Sequence, residues 1–292
     1  RIHSQWNDWF ASVVGLRYDY FDMDVEDKLN ALNSGSENDD LVTPKLSLRF
    51  GPFKDTEFFI NLGKGLHSND ARGVVADEVP LLSESTGYEL GIRSTSVENL
   101  QLSLVLFQLN LDSELVFVGD DGTTEPKDAS RRRGIEFSVY YQATDWFVLD
   151  ADYTKSQARF KDDQFDGDQL LGNRVPDSIE DVFSMGLSFD LENGLYTGLR
   201  LRYFGPRNLT ENTTVQSKSS SMVNANIGYR FNTGLAFSLE ILNLTDRKGD
   251  DITYWYASRT QEERENNIEA IEDFHSHAMI PRTLRGTISY EF

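Results

Sequence analysis

The sequence predicts an all-β fold: an antiparallel, up-and-down sheet of about 12 strands, apolar on one face and polar on the other, in the manner of a transmembrane β-barrel. Three observations carry this. Apolar and polar residues alternate with period two along much of the chain, which places them on opposite faces of extended strands. Several alternating segments, such as Trp9–Asp22 and Arg133–Gln142, reach ten residues or more, the ~9–11 that a tilted strand needs to cross a bilayer rather than the ~5–6 usual in soluble sheets. Short turns and long polar loops alternate, as in outer-membrane barrels with short periplasmic turns and long extracellular loops.

In chain order, Val14, Leu16, Tyr18 and Tyr20 oppose Gly15, Arg17 and Asp19. Leu46, Leu48 and Phe50 oppose Lys45, Ser47 and Arg49. Phe183, Met185, Leu187 and Phe189 oppose Ser184, Gly186, Ser188 and Asp190. Leu199, Leu201 and Tyr203 oppose Arg200 and Arg202. Ala225, Ile227, Tyr229 and Phe231 oppose Asn224, Asn226, Gly228 and Arg230, and Phe237, Leu239 and Ile241 oppose Ser238 and Glu240. The last segment sets Leu284, Gly286, Ile288, Tyr290 and Phe292 against Arg285, Thr287, Ser289 and Glu291.

Short turns fall at Gly51–Lys54, Val97–Asn99, Gln142–Asp145, Glu192–Gly194 and Asn232–Gly234. Long polar loops fall near residues 25–41, 66–85, 110–130, 160–180, 205–219 and 244–281. In an up-and-down sheet this puts all short turns at one end and all long loops at the other. Helix formers in 258–273 suggest a short surface helix. Aromatics gather beside the short turns (Trp6, Trp9, Phe10, Phe53, Phe58, Phe59, Trp146, Phe147, Phe231, Phe237 and Phe292), which suits an interfacial belt, although aromatics favour strands in any case. The polar face carries Arg17, Asp19, Arg49, Lys64, Glu136, Asp150, Asp152, Arg200, Arg202, Arg230, Glu240, Arg285 and Glu291. A dry core could not hold these charges; a wet lumen or a polar plug could.

Composition narrows the function. The net charge of −20, with acid pairs such as Asp39-Asp40, Asp120-Asp121 and Asp250-Asp251, argues against nucleic acid as a partner, since phosphate binding needs clustered Lys and Arg. Such pairs read first as solvated loops. The absence of cysteine excludes disulfides and thiolate metal sites. Mean hydropathy is −0.47, and no run approaches the ~18 apolar residues of a membrane helix, but alternating barrel strands average to a polar score. The chain opens on Arg1 near a strand, so its N-terminus reads as cut from something longer.

Ordered local patterns give the sequence a family likeness. They are Lys64-Gly-Leu-His-Ser-Asn-Asp-Ala-Arg-Gly73, Thr86-Gly-Tyr-Glu-Leu-Gly-Ile-Arg93, Arg132-Arg-Gly-Ile-Glu-Phe with Thr144-Asp-Trp146, Leu149-Asp-Ala-Asp-Tyr-Thr154, Glu240-Ile-Leu-Asn-Leu-Thr-Asp246 and Tyr290-Glu-Phe292. In this order they resemble the C-terminal part of the barrel of a TonB-dependent outer-membrane receptor, over nearly all of residues 1–292. The resemblance implies the C-terminal half of a barrel of about 22 strands, with plug domain and first strands outside the sequence. It implies residence in the bacterial outer membrane among lipid and lipopolysaccharide. It further implies active import of a scarce nutrient such as a ferric siderophore, contact with the TonB complex through the plug, and no enzymatic activity. Ile288, Tyr290 and Phe292 correspond to the signal read by the barrel-assembly machinery.

Ligand-binding candidates lie in two long loops: His67, Ser68, Asn69, Asp70 and Arg72 in one, and Tyr254, Trp255, Tyr256, His275 and His277 in the other. Aromatics can stack on a small-molecule ligand such as an iron chelate, and Arg can pair with its carboxylate or phosphate. The first group equally suits a structured loop, and His275 and His277 a solvated one. No metal site or cofactor is expected, because two histidines are too few ligands; Asp162–Asp168 lacks the spacing of a helical calcium loop. Alternatives are a complete 12-stranded passive pore or export translocator, a barrel-embedded hydrolase and a soluble β-sandwich. Strand length and loop sorting disfavour the last.

Overall fold

The computed structural model describes residues 1–77, 80–118 and 123–292. In chain order the elements are β1 (Ile2–Asn7), β2 (Phe10–Val25), β3 (Gly35–Phe50), β4 (Thr56–Ser68), α1 (Ala71–Asp77), β5 (Leu82–Val97), β6 (Leu100–Leu111), β7 (Glu114–Val118) and β8 (Thr123–Lys127). Then come β9 (Ser130–Thr144), β10 (Phe147–Asp166), β11 (Gln169–Arg174), β12 (Asp181–Asp190), β13 (Leu195–Phe204), β14 (Ser220–Arg230), β15 (Leu235–Leu242), β16 (Asp250–Ser258), α2 (Gln261–Glu265), β17 (Ile271–Ala278) and β18 (Thr283–Tyr290). One antiparallel sheet runs β1-β2-β3-β4-β5-β6-β9-β10-β12-β13-β14-β15-β18, with β11 paired to β10. Hairpins β7–β8 and β16–β17 stand apart from it. The sheet is open, edged by β1 and β18.

The path has thirteen strands. The one beyond the expected set is β1, whose six residues are too few to display a period. Neighbours in the path are joined alternately by tight turns and long excursions, so the predicted sorting of loops holds. Several predicted loops contain strand instead. β2 and β3 stay paired out to Val25↔Gly35, leaving only 26–34 as a connection. β10 continues to Asp166 and folds back as β11. Residues 110–130 form the β7–β8 hairpin, whose tip, with Asp120-Asp121, lies outside the described residues. The helix expected within 258–273 is α2, started by a capping box between Thr260 and Glu263.

Register defines the two faces. Phe58, Ile92, Leu104, Phe137, Tyr153, Phe183 and Tyr203 form one continuous row across seven strands. Residues of this face are partly or largely exposed rather than buried: Phe58, Leu104 and Phe137 of the row are exposed, and elsewhere on the face Leu16 is 71% and Ile288 70% accessible. Among the described residues the buried apolar clusters are two small ones, around Val74, Leu81 and Leu82 and around Ala158, Phe160 and Val175, both at the long-loop end of the sheet. The apolar face is therefore satisfied by lipid, not by a protein core.

The other face is laced with ion pairs: Arg17–Asp19 (2.5 Å), Arg93–Glu57 (2.6 Å), Arg200–Asp150 (2.5 Å), Arg230–Asp190 (2.8 Å) and Arg285–Glu240 (3.2 Å). Gly186 makes room for one of them. A Cβ there would lie 2.4 Å from an Asp150 oxygen and 2.7 Å from the Arg200 guanidinium. On the same face, Phe59, Phe107 and Tyr196 lie over the cross-strand glycines Gly91, Gly134 and Gly228.

Two residues change sides relative to expectation. Lys64 follows the parity of Leu62, which pairs with Leu46 on the apolar face. It lies where β4 leaves the apolar band and pairs with Glu84 at 2.5 Å. Phe59 has the parity of Arg49, its register partner, and lines the lumen instead of the belt. The remaining rim aromatics form a girdle: Phe10 stacks on Phe50 (5.1 Å), Trp9 approaches Phe53 (6.5 Å), Phe147 stacks on Phe189 (4.7 Å), and Phe231 meets Tyr229 and Phe237 edge-on.

Candidate functional site: the outer mouth

The long connections crowd the end opposite the girdle. The largest, after β15, is built on Asn243, 1% exposed and at φ +50°. Its Nδ2 donates to the carbonyls of Arg247 (3.0 Å) and Ile280 (2.9 Å), and its Oδ1 accepts from Arg247 N–H (2.9 Å). Asn is among the few side chains that tolerate the left-handed region, and here it ties both ends of the excursion together. From this base rises the β16–β17 hairpin.

That hairpin brings most of one candidate group together. Tyr254 opposes His275 and Ile252 opposes His277. Tyr256 stacks on His275, with ring centroids 3.7 Å apart and planes 15° apart. His275 Nε2 also lies 2.8 Å from Ser258 Oγ, and His277 Nδ1 lies 4.0 Å from an Asp251 oxygen. Period two sends Trp255 to the opposite face, where it meets Phe274 at 4.9 Å. One face thus offers phenol and imidazole rings, a surface for a flat or aromatic ligand.

The other candidate group closes a separate outer loop. His67 and Ser68 end β4. Asn69 is buried; its N–H bonds Leu81 O (3.0 Å) and its Nδ2 bonds Pro80 O (2.6 Å). Asp70 O accepts from Val74 N–H (3.0 Å) where α1 begins, and Val74 packs with Leu81 and Leu82. Asn69 therefore holds the loop shut. Arg72 falls in α1, and its side chain lies outside the described residues.

Sequence reasoning passed over Arg207, whose side chain is 12% exposed. It reaches Asp177 at 3.1 Å and donates to Thr253 O at 2.7 Å, while its backbone accepts from Ser217 N–H at 2.9 Å. It fastens the hairpin to two neighbouring excursions. Burial pushes the Asp177 carboxyl up to about 6, with Arg207 opposing the shift. No periodicity marks these residues; the signal was only an Arg beside Gly205-Pro206 in a polar stretch. Among the described residues no group of three or more His, Cys, Asp or Glu is placed to hold a metal ion.

An open antiparallel sheet of amphipathic strands, with a girdle at one rim and tied loops at the other, is the architecture of an outer-membrane barrel. Residues 4–244 match the family described as TonB dependent receptor-like, beta-barrel, and the chain belongs to that family. It is an outer-membrane β-barrel of the receptor class, and the hydrolase and soluble-sandwich alternatives fall away. It is 27% identical over 153 residues to the catecholate siderophore receptor Fiu of Escherichia coli (strain UTI89 / UPEC), a stretch covering 51% of this chain and 20% of that protein. The crystal structure of the Fiu ferric-catecholate import receptor from K12 E. coli superposes with TM-score 0.70 at 17% identity, covering 99% of this chain and 43% of the other. For the ferric yersiniabactin uptake receptor FyuA of Yersinia pestis the TM-score is 0.68 at 18% identity, covering 97% and 43%. The chain thus spans less than half the length of these relatives.

Proposed function

We propose that the chain forms part of a receptor that captures an iron chelate at its outer mouth and imports it with energy from the TonB complex. The observation that carries this reading is the tethered hairpin presenting Tyr254, Tyr256 and His275 on one face, in a barrel of this family. Ferric catecholates are the first class to test, because the relative aligned over half the chain is a catecholate siderophore receptor. Their planar rings would stack on the tyrosines, and His277 and the first loop, His67 to Arg72, would contact the rim of the ligand. Import would need a plug domain to engage TonB, and the terminal Ile288, Tyr290 and Phe292 would hand the chain to the assembly machinery. The test is uptake of iron-55-labelled chelates by cells carrying only the full-length receptor, with and without TonB. Tyr254→Ala/Tyr256→Ala should weaken binding by about a hundredfold, two stacking contacts of ~1–1.5 kcal/mol each. Uptake that persists without TonB would sink the active-import reading in favour of a passive pore.

A further inference from the structure

The foot of the β16–β17 hairpin borders a cavity of about 430 Å³, within the ~300–1,000 Å³ usual for small-molecule sites. Two chain segments wall it. Lys218, Ser219 and Ser220 lead into β14, and Arg247, Lys248 and Asp250 lead into β16. All six lie in outer connections or at the first residue of a strand. Three cations therefore share one hollow with one carboxylate, in a chain whose net charge is −20. Among the described residues none of the three cations makes an ion pair. The neighbouring acids have other partners: Asp246 accepts from Arg282 N–H at 3.2 Å, and Asp251 lies 4.0 Å from His277. The hollow thus differs from the inner wall, where Arg93, Arg200, Arg230 and Arg285 are each matched by an acid.

One of the cations is also held in place. Asn243 fixes the Arg247 backbone at both its N–H and its carbonyl. The Arg247 side chain donates to Ser221 Oγ and to Ser219 O (3.3 Å), which orients the guanidinium without neutralising it. Lys218 and Lys248 are exposed and make no hydrogen bond among the described residues, so both ammonium groups can turn toward an occupant. With the Ser219 and Ser220 hydroxyls, the hollow offers donors and positive charge well beyond what Asp250 can answer. A phosphate group complements this set, with three strong acceptor oxygens and about two negative charges. The volume leaves room for a polar body behind it. We propose that this hollow binds a phosphate group, free in solution or borne by a small soluble ester. Held from both segments, the occupant clamps the hairpin foot to the head of β14. The proposal does not depend on which nutrient the barrel imports.

The experiment uses the full-length receptor in detergent, without any iron chelate. Calorimetry and hydrogen exchange follow the addition of ribose 5-phosphate, ribose or inorganic phosphate, with ionic strength held constant by chloride. At ten times its Kd, ribose 5-phosphate should raise the protection of amides within 244–281 about tenfold, and ribose should raise it not at all. Lys248→Gln should weaken binding about fivefold, and Lys218→Gln/Lys248→Gln about twenty-fivefold. Lys28→Gln, an exposed cation in another loop, should leave it unchanged. Arg247→Gln should abolish binding. Heat-shifted gel migration reports whether each barrel is folded, and the double lysine variant, which breaks no contact, decides the matter if Arg247→Gln does not fold. Tighter binding of the ester than of inorganic phosphate assigns the cavity to a phosphorylated molecule. Equal binding assigns it to the phosphate group alone, and either result upholds the site. Equal affinity for ribose and its phosphate would overturn the proposal, as would unchanged affinity in the double lysine variant. Neither result touches the uptake reading, which is scored on labelled chelates.

Discussion

Asn243 offers the sharpest test of how the outer mouth is held. Replacing it with alanine removes three side-chain hydrogen bonds, two to carbonyls and one from an N–H. It also asks a Cβ-bearing residue without a local polar partner to hold φ +50°. At about 1 kcal/mol per bond, plus about 1 kcal/mol for the left-handed backbone, the loss is about 4 kcal/mol, or nearly three decades in a local opening constant. The barrel itself should be spared, because the residue lies past the end of β15. Hydrogen exchange of the full-length receptor in detergent would read the effect. Amides within 244–281 should lose roughly a thousandfold protection, while those in β13 and β14 stay unchanged. Asn243→Gly keeps the backbone freedom and loses only the bonds, so it should retain about fivefold more protection than Asn243→Ala. If glycine and wild type protect this excursion equally, the side-chain bonds do not hold the mouth. If glycine and alanine behave alike, the backbone conformation contributes nothing.

Other consequences can be checked separately. Gly186→Ala drives a methyl into the Asp150–Arg200 pair and should cost ~1–3 kcal/mol, read as a lower urea midpoint of the folded barrel; an unchanged midpoint would mean the pair adapts freely. The Asp177 carboxyl is raised from 3.8 to about 6. Its contribution to outer-loop stability is therefore complete below about pH 4 and lost as pH rises through 6. Asp177→Asn should flatten the dependence of loop protection on pH across that window, and a retained slope would assign it to another group. Phe292 is fully exposed and touches Tyr290 edge-on. Phe292→Ala should therefore lower the amount of folded receptor in the outer membrane while leaving its thermal unfolding unchanged, and a lowered melting temperature would make its role structural.

The barrel wall was legible because lipid on one side and water on the other impose a strict period-two code, so long strands such as β2 and β13 announce themselves. The code fails wherever both sides are wet. β16 and β17 carry aromatic and polar residues on both faces, Tyr254, Tyr256, Asp273 and His275 on one and Thr253, Trp255, Glu272 and Ser276 on the other, and nothing in their spacing separates a hairpin from a coil. Lys64 misled for a related reason: face follows parity only within the band, and polarity at its edge says nothing about side. Tyr254, Tyr256 and His275 could be chosen as aromatic loop residues, but their grouping depends on a register that sequence does not display. Arg207 and Asn243 act through backbone carbonyls many residues away, and that kind of contact leaves no local pattern.

The ion pairs along the inner wall carry one more consequence. Each of those arginines is matched by an acid, so the wall contributes little to the charge of −20. Much of the excess negative charge lies in the outer connections, at Glu26, Asp27, Asp162, Asp163, Asp250, Asp251, Glu262, Glu263 and Glu265. A chelate of the proposed kind, if anionic, would meet a repelling potential before it met the rings of the hairpin. Its encounter rate should therefore climb with ionic strength, the reverse of electrostatic steering, because a shorter Debye length hides the repulsion and leaves stacking untouched.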